Sequence, residues 1–288
     1  TQLGRSVDNI NATAIEFGGL NITPADVIKQ SQKGLGGAMS ILPIGSTWVD
    51  DARKANATVT APGQAVYRDF AMVWHKALNT RWANGRPVEG IAAEGFGVPT
   101  DPQDNSSMAI NYKTEPMWYR FGLAPDAPFG HADGAGYGDM LNAHMAYSNA
   151  LVGGDPQTPV LYAKPGQPFR THILMPTGGS RGSTFQMDGH VWSVNPFLAE
   201  KSDVGGYPTG TPGVGSVRFG YNPMSMYIGA RESVLPAAHF SSMIPSAGGS
   251  NAIPGDYLFR DYGAYGNTSG LWGLLRVTNE PEPAPPAQ

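Results

Sequence analysis

Residues 165–192 read "PGQPFRTHILMPTGGSRGSTFQMDGHVW", and two short runs inside this stretch decide the fold. "PFRTHILMP" is entered through Pro-Gly and closed by Pro, and "STFQMDGHVWSV" follows a Gly-Gly break. Short β-branched and aromatic runs punctuated by turn dipeptides predict strands rather than helices. The same rhythm continues on both sides, with "PVLYAK" before and "SVRFGY", "SMYIGA", "HFSSMIP" and "DYLFRDY" after. Strands recurring about every ten residues predict an all-β sandwich. Upstream, "AVYRDFAMVWHKAL" (Ala65 to Leu78) is apolar on both alternating faces apart from Arg68 and Asp69, the pattern of a strand buried on both sides.

Composition agrees with this reading. Gly 38 and Pro 25 make about a fifth of the 288 residues, against roughly twelve per cent on average, while charged residues are 15%. No run of eighteen apolar residues and no basic run occurs, so neither a membrane-spanning helix nor a nucleic-acid footprint is visible. The formal charge of -4 selects no partner by sign. Cysteine is absent, which removes disulfides, thiolate nucleophiles and the thiolate that a blue-copper centre requires.

Two segments share one frame. "GLGGAMSILP", beginning at Gly34, and "GLWGLLRV", beginning at Gly270, both place Gly-Leu-x-Gly before an apolar run, and each reads as a strand–loop–strand closure. On this basis residues 1–56 are expected to be the tail of a preceding domain completed by another chain. Residues 57–279 are expected to be one full domain with a loop-rich insertion at about 84–155, and the Pro-rich 280–288 a disordered tail.

The stretch 165–192 resembles the ligand-bearing part of a cupredoxin domain of the multicopper oxidase family, where an Arg-rich aliphatic strand leads to a run of spaced histidines. On that frame the histidine ligands fall on Ser183, Gln186 and Asp188, while His190 is kept. The closing segment resembles the family's Phe-His-Cys-His pattern: Phe259 stays, His-Cys-His becomes Arg260, Asp261 and Tyr262, a further His becomes Gly266, and Gly270-Leu271 stay. "QKGLGGAMSILP" is similar to the end of a preceding domain, and "INYKTEPMWYRFG" (Ile110 to Gly122) to an early strand of a later one. The resemblance implies a cupredoxin-like Greek-key β-sandwich without its own copper ligands. It further implies a role as the C-terminal, copper-free portion of an oxidoreductase, giving support and an interface to a copper-bearing chain or to the N-terminal part of one precursor. Copper would sit in the assembly without ligands from this chain, in a periplasmic or extracellular setting. The alternative is a non-enzymatic structural or binding module.

No catalytic or cofactor-binding residue is assigned. The best metal candidates are His131, Asp133, Asp139 and His144 in "HADGAGYGDMLNAH", where imidazoles and carboxylates could combine although the spacing matches no compact motif. "TDPQDNS" (Thr100 to Ser106) has calcium-suited oxygens without EF-hand spacing. Gly134, Gly136 and Gly138 read as a turn rather than a phosphate cradle. His75, His172, His190 and His239 read as packed or hydrogen-bonded strand and turn histidines, with His172 and His239 able to face a neighbouring domain's metal. Trp118, Tyr119 and Trp272 read as core aromatics. A hydrolase is disfavoured, since no nucleophile–base–acid set stands out along the chain.

Overall fold

The computed structural model describes residues 17–26, 29–30, 33–50, 54–76, 78, 84, 108–120, 148, 153–176, 182–194, 225–262, 266 and 269–284. The candidates His131, Asp133, Asp139 and His144, the Thr100 to Ser106 segment and the 134–138 glycines lie outside them.

The regular secondary structure of the described residues is almost entirely strand. β1 (Gly18–Ile22) and β2 (Gly37–Ile41) form an antiparallel hairpin. β3 (Thr47–Asp50), β4 (Asn56–Thr60) and β5 (Tyr67–His75) form an antiparallel meander, and the short β6 (Ala109–Ile110) pairs with the end of β5. A single helical turn, α1 (Met117–Arg120), follows. Then come β7 (Val160–Ala163), β8 (Phe169–Leu174), β9 (Ser183–Met187), β10 (Trp192–Ser193), β11 (Tyr227–Ile228), β12 (Ala230–Val234), β13 (His239–Ile244), β14 (Gly255–Asp261) and β15 (Trp272–Val277).

Two large sheets result, ordered β13-β8-β5-β4-β3 and β12-β9-β14-β15-β7. Each contains one parallel pair, β5 with β8 and β7 with β15. The chain changes sheet between β7 and β8, β8 and β9, β12 and β13, and β13 and β14, the crossing pattern of a Greek key. The all-β sandwich expectation is therefore met.

Side-chain alternation explains the layers. Phe70, Met72 and Trp74 of β5, Phe169 and Ile173 of β8, and Phe240 and Ile244 of β13 face inward. They meet Phe185 and Met187 of β9, Phe259 of β14, and Leu275 and Val277 of β15. The intervening residues of β5, β8 and β13 point to the other face, which the β1–β2 hairpin covers as a third layer. That cover is why all six residues of β8 are buried. The approach is close enough to demand glycine: Gly18 has φ of 81°, and a Cβ on Gly19 would lie 2.5 Å from the Cβ of His172. Asn21 fastens the hairpin's edge, donating from Nδ2 to the carbonyls of Ala237 (3.0 Å) and Ala238 (2.9 Å).

The C-terminal segment is also anchored. Glu282 pairs with Lys54 and with Arg68, each at 2.8 Å. Both pairs are partly buried, and Glu282→Ala is expected to cost about 1 kcal/mol, read as a lowered urea midpoint with unchanged m-value.

Candidate functional site

The positions that resemble copper ligands separate onto two faces. β14 and β9 are antiparallel neighbours, with Asp261 opposite Phe185, Arg260 opposite Gln186 and Phe259 opposite Met187. Alternation turns Ser183 and Asp261 toward the interior, while Gln186 and Arg260 face outward. Ser183 Oγ donates to Asp261 Oδ2 at 2.8 Å and the Thr184 amide donates to Oδ1 at 2.8 Å. Lys76 Nζ lies 3.5 Å from Oδ2 and donates to the Gly182 carbonyl at 3.0 Å. Asp261 is 0% exposed and Lys76 3%, so this is a buried ion pair. Gly266 belongs to the same cluster, for a Cβ there would sit 2.1 Å from Asp261 Oδ2.

Ser183, Asp261 and Gly266 thus converge, but their donor set does not fit copper. A blue-copper centre needs a thiolate and two imidazoles. Here there is a hydroxyl, a carboxylate already accepting two hydrogen bonds, no side chain at 266, and an ammonium beside them. The Lys76 charge compensates the carboxylate from within the protein, which would repel a metal cation.

On the outer face Arg260 Nε lies 3.3 Å from Gln186 Oε1, and its guanidinium covers the exposed Tyr262 ring at 5.3 Å. Asp188 sits in the turn leading to His190, its amide bonded to the Leu258 carbonyl at 2.8 Å. His190 donates from Nδ1 to the Asp188 carbonyl (2.9 Å), and its Nε2 accepts the Gly248 amide at 3.0 Å. These bonds fix a neutral ring, and burial pushes its pKa down, opposed by the carbonyl contact.

The other described histidines have different surroundings. His75 is fully buried and packs against Tyr112 with ring centroids 4.3 Å apart, and among the described residues neither ring nitrogen has a partner. Burial pushes its pKa down to about 4. His239 lies near the Phe17 ring. His172 is joined at Nε2 to Asp69 Oδ1 (2.7 Å) and at Nδ1 to Ser241 Oγ (2.6 Å). Ser40 Oγ of β2 donates to Asp69 Oδ2 at 3.2 Å, and the Gly19 amide donates to Ser241 Oγ at 2.9 Å. A nucleophile–base–acid set is therefore present, contrary to expectation. Its members lie far apart in sequence and meet only through register: Ser241 is opposite His172, and Ala71, two residues beyond Asp69, is the partner of His172 on β5. A groove of about 620 Å³ between the hairpin and the β3–β4 edge has Asp69 at its floor, with Ser40, Leu42, Trp48, Lys54 and Asn56 along it.

Among the described residues, no three His, Cys, Asp or Glu side chains gather as a metal site, and no helix is long and apolar enough to cross a membrane. No protein-family model matches the chain, and no curated protein matches it. Among solved structures it is similar to a copper nitrite reductase from Nitrosomonas europaea, at 13% identity and a TM-score of 0.38, over 91% of this chain and 63% of that one. It is also similar to a multicopper oxidase from Campylobacter jejuni, a metallo-oxidase, at 13% identity and a TM-score of 0.27, over 41% of this chain and 20% of that one. The chain therefore spans less than two thirds of either neighbour. Its own strand order and crossings define it as a Greek-key β-sandwich.

Proposed function

We propose that this chain is the copper-free cupredoxin portion of a multicopper-oxidase-like oxidoreductase, supporting and shaping an interface to a copper-bearing chain or precursor segment. The observation that carries the reading is the Lys76–Asp261–Ser183 cluster, in which converging ligand-like positions hold an internal ion pair. Such a pair keeps the scaffold while removing any demand for metal. The β1–β2 hairpin favours a partner, because among the described residues its strands pair only with each other. A two-stranded ribbon with open edges is a ready template for further strands. The assembled protein would oxidise its substrate in one-electron steps, four of which, with four protons, reduce one oxygen molecule to two water molecules. A periplasmic or extracellular setting belongs to the same proposal.

The test is subunit and elemental analysis of the native assembly, together with dialysis of the isolated chain after exposure to Cu(II). The expected result is a second polypeptide segment with stoichiometric copper, and no copper retained by this chain alone. A native assembly without copper, and without oxidase activity when copper is added, would overturn the oxidase reading. It would leave the structural or binding module, for which the groove beside Trp48 offers a surface.

A further inference from the structure

We propose that Ser241, His172 and Asp69 form a nucleophile–base–carboxylate relay able to accept the acyl group of a small carboxylic ester, held closed by the Gly18–Gly19 segment of β1.

The direction of the hydrogen bonds follows from the groups themselves. The Gly19 amide can only donate, so Ser241 Oγ accepts from it at 2.9 Å and keeps its own proton for His172. Asp69, as a carboxylate, can only accept, so His172 Nε2–H donates a hydrogen bond to its Oδ1 at 2.7 Å. A ring held this way sets Nδ1 2.6 Å from the Ser241 hydroxyl, and in its Nε2–H tautomer that nitrogen is the acceptor a general base requires. Ser40 supplies a second donor to Asp69 and supports the same polarity. An orienting carboxylate, a base and a hydroxyl within hydrogen-bond reach are the elements of an activated serine, recognised by geometry rather than chain order. Here the ring is used in the reverse sense, with Nδ1 toward the serine.

The closure is equally specific. Ser241 is only 9% exposed, and the backbone of Gly18 and Gly19 lies directly over it, so that a Cβ on Gly18 would sit 2.6 Å from Ser241 Oγ. The hairpin holding that backbone down is fastened by Asn21 at its edge. When β1 lifts, Ser241 Oγ attacks the ester carbonyl carbon and its proton passes to His172 Nδ1. The carbon–oxygen bond to the alcohol breaks, and the alcohol leaves with that proton. Water then attacks the acyl-serine with His172 again accepting and returning a proton, so ester and water become acid and alcohol.

A fluorophosphonate probe reads this directly, since serine displaces fluoride and forms a stable phosphorus–oxygen bond. The full chain would be incubated with the probe and Ser241 mapped by peptide mass, in the wild type, in Asn21→Ala and in His172→Gln, with circular dichroism confirming the fold of each. The expected result is a slow adduct on Ser241 in the wild type. Asn21→Ala, which loosens the hairpin without touching the relay, is expected to label roughly ten-fold faster. His172→Gln in the Asn21→Ala background is expected to label about 100-fold more slowly. Absence of a Ser241 adduct from both wild type and Asn21→Ala overturns the proposal, as does labelling that proceeds equally fast without His172. Should His172→Gln fail to fold, Asp69→Asn in the Asn21→Ala background replaces it, and labelling that is not slowed there overturns the proposal.

Discussion

Lys76→Met is expected to lower the stability of the folded chain by about 3–5 kcal/mol. The methionine fills a similar volume, so the loss is not one of packing. What is removed is the ammonium 3.5 Å from Asp261 Oδ2, leaving a carboxylate that is 0% exposed and, among the described residues, two neutral donors to it, Ser183 Oγ and the Thr184 amide. An uncompensated charge in such surroundings is far costlier than a missing surface pair. Adding Asp261→Asn to Lys76→Met is expected to recover most of the loss, since the amide oxygen can keep accepting from Ser183 or Thr184 without a charge. Urea unfolding of the wild type, the single variant and the double variant checks both statements. A single-variant cost below about 1 kcal/mol would show a pair already solvated like a surface one.

Acid is the second large lever. His75 has a folded pKa of about 4, lowered from 6.5 by burial. Between those values the unfolded chain binds the proton and the folded chain does not, so stability rises with pH across the window and is lost as pH falls from 6.5 toward 4. The loss from this one ring approaches about 3 kcal/mol at the acid end. Carboxylates also titrate near the lower limit, so the diagnostic is a difference. His75→Phe, which retains a ring against Tyr112, is expected to flatten the dependence of unfolding free energy on pH between 6.5 and 4. If wild type and variant show the same slope, His75 is hydrated or partnered in solution.

The sandwich was legible in the sequence because its strands are short, apolar and punctuated. "PFRTHILMP" became β8 and "STFQMDGHVW" contributed β9 and β10, and the long run around Phe70 and Trp74 became the doubly covered β5. The ligand-like positions were legible as a list but not as a geometry. Alternation splits Ser183 and Asp261 from Gln186 and Arg260, a consequence of the β9–β14 register that no local pattern prints. Lys76 escaped notice because a lysine just past a buried strand reads as the strand's solvent end, whereas here it turns back to a carboxylate more than half the chain away. The Asp69–His172–Ser241 set was invisible for the same reason: it is assembled across one parallel and one antiparallel pairing. The anchor at Glu282 was hidden in a Pro-rich segment whose composition favours solvent.

The parallel pairing of β5 with β8, which sets Arg68 beside Phe169, also governs how the chain reaches its fold. Local hairpins such as β3–β4, β4–β5 and β14–β15 can close soon after they are made, but the other edge of β5 must wait for a strand about a hundred residues later, and loop closure over that span is slow. Until then its row of Phe70, Met72 and Trp74 has no lasting cover. The same strand that anchors the finished core therefore has an apolar edge open to aggregation during folding. Refolding yield is expected to fall with protein concentration, even where the folded form is stable.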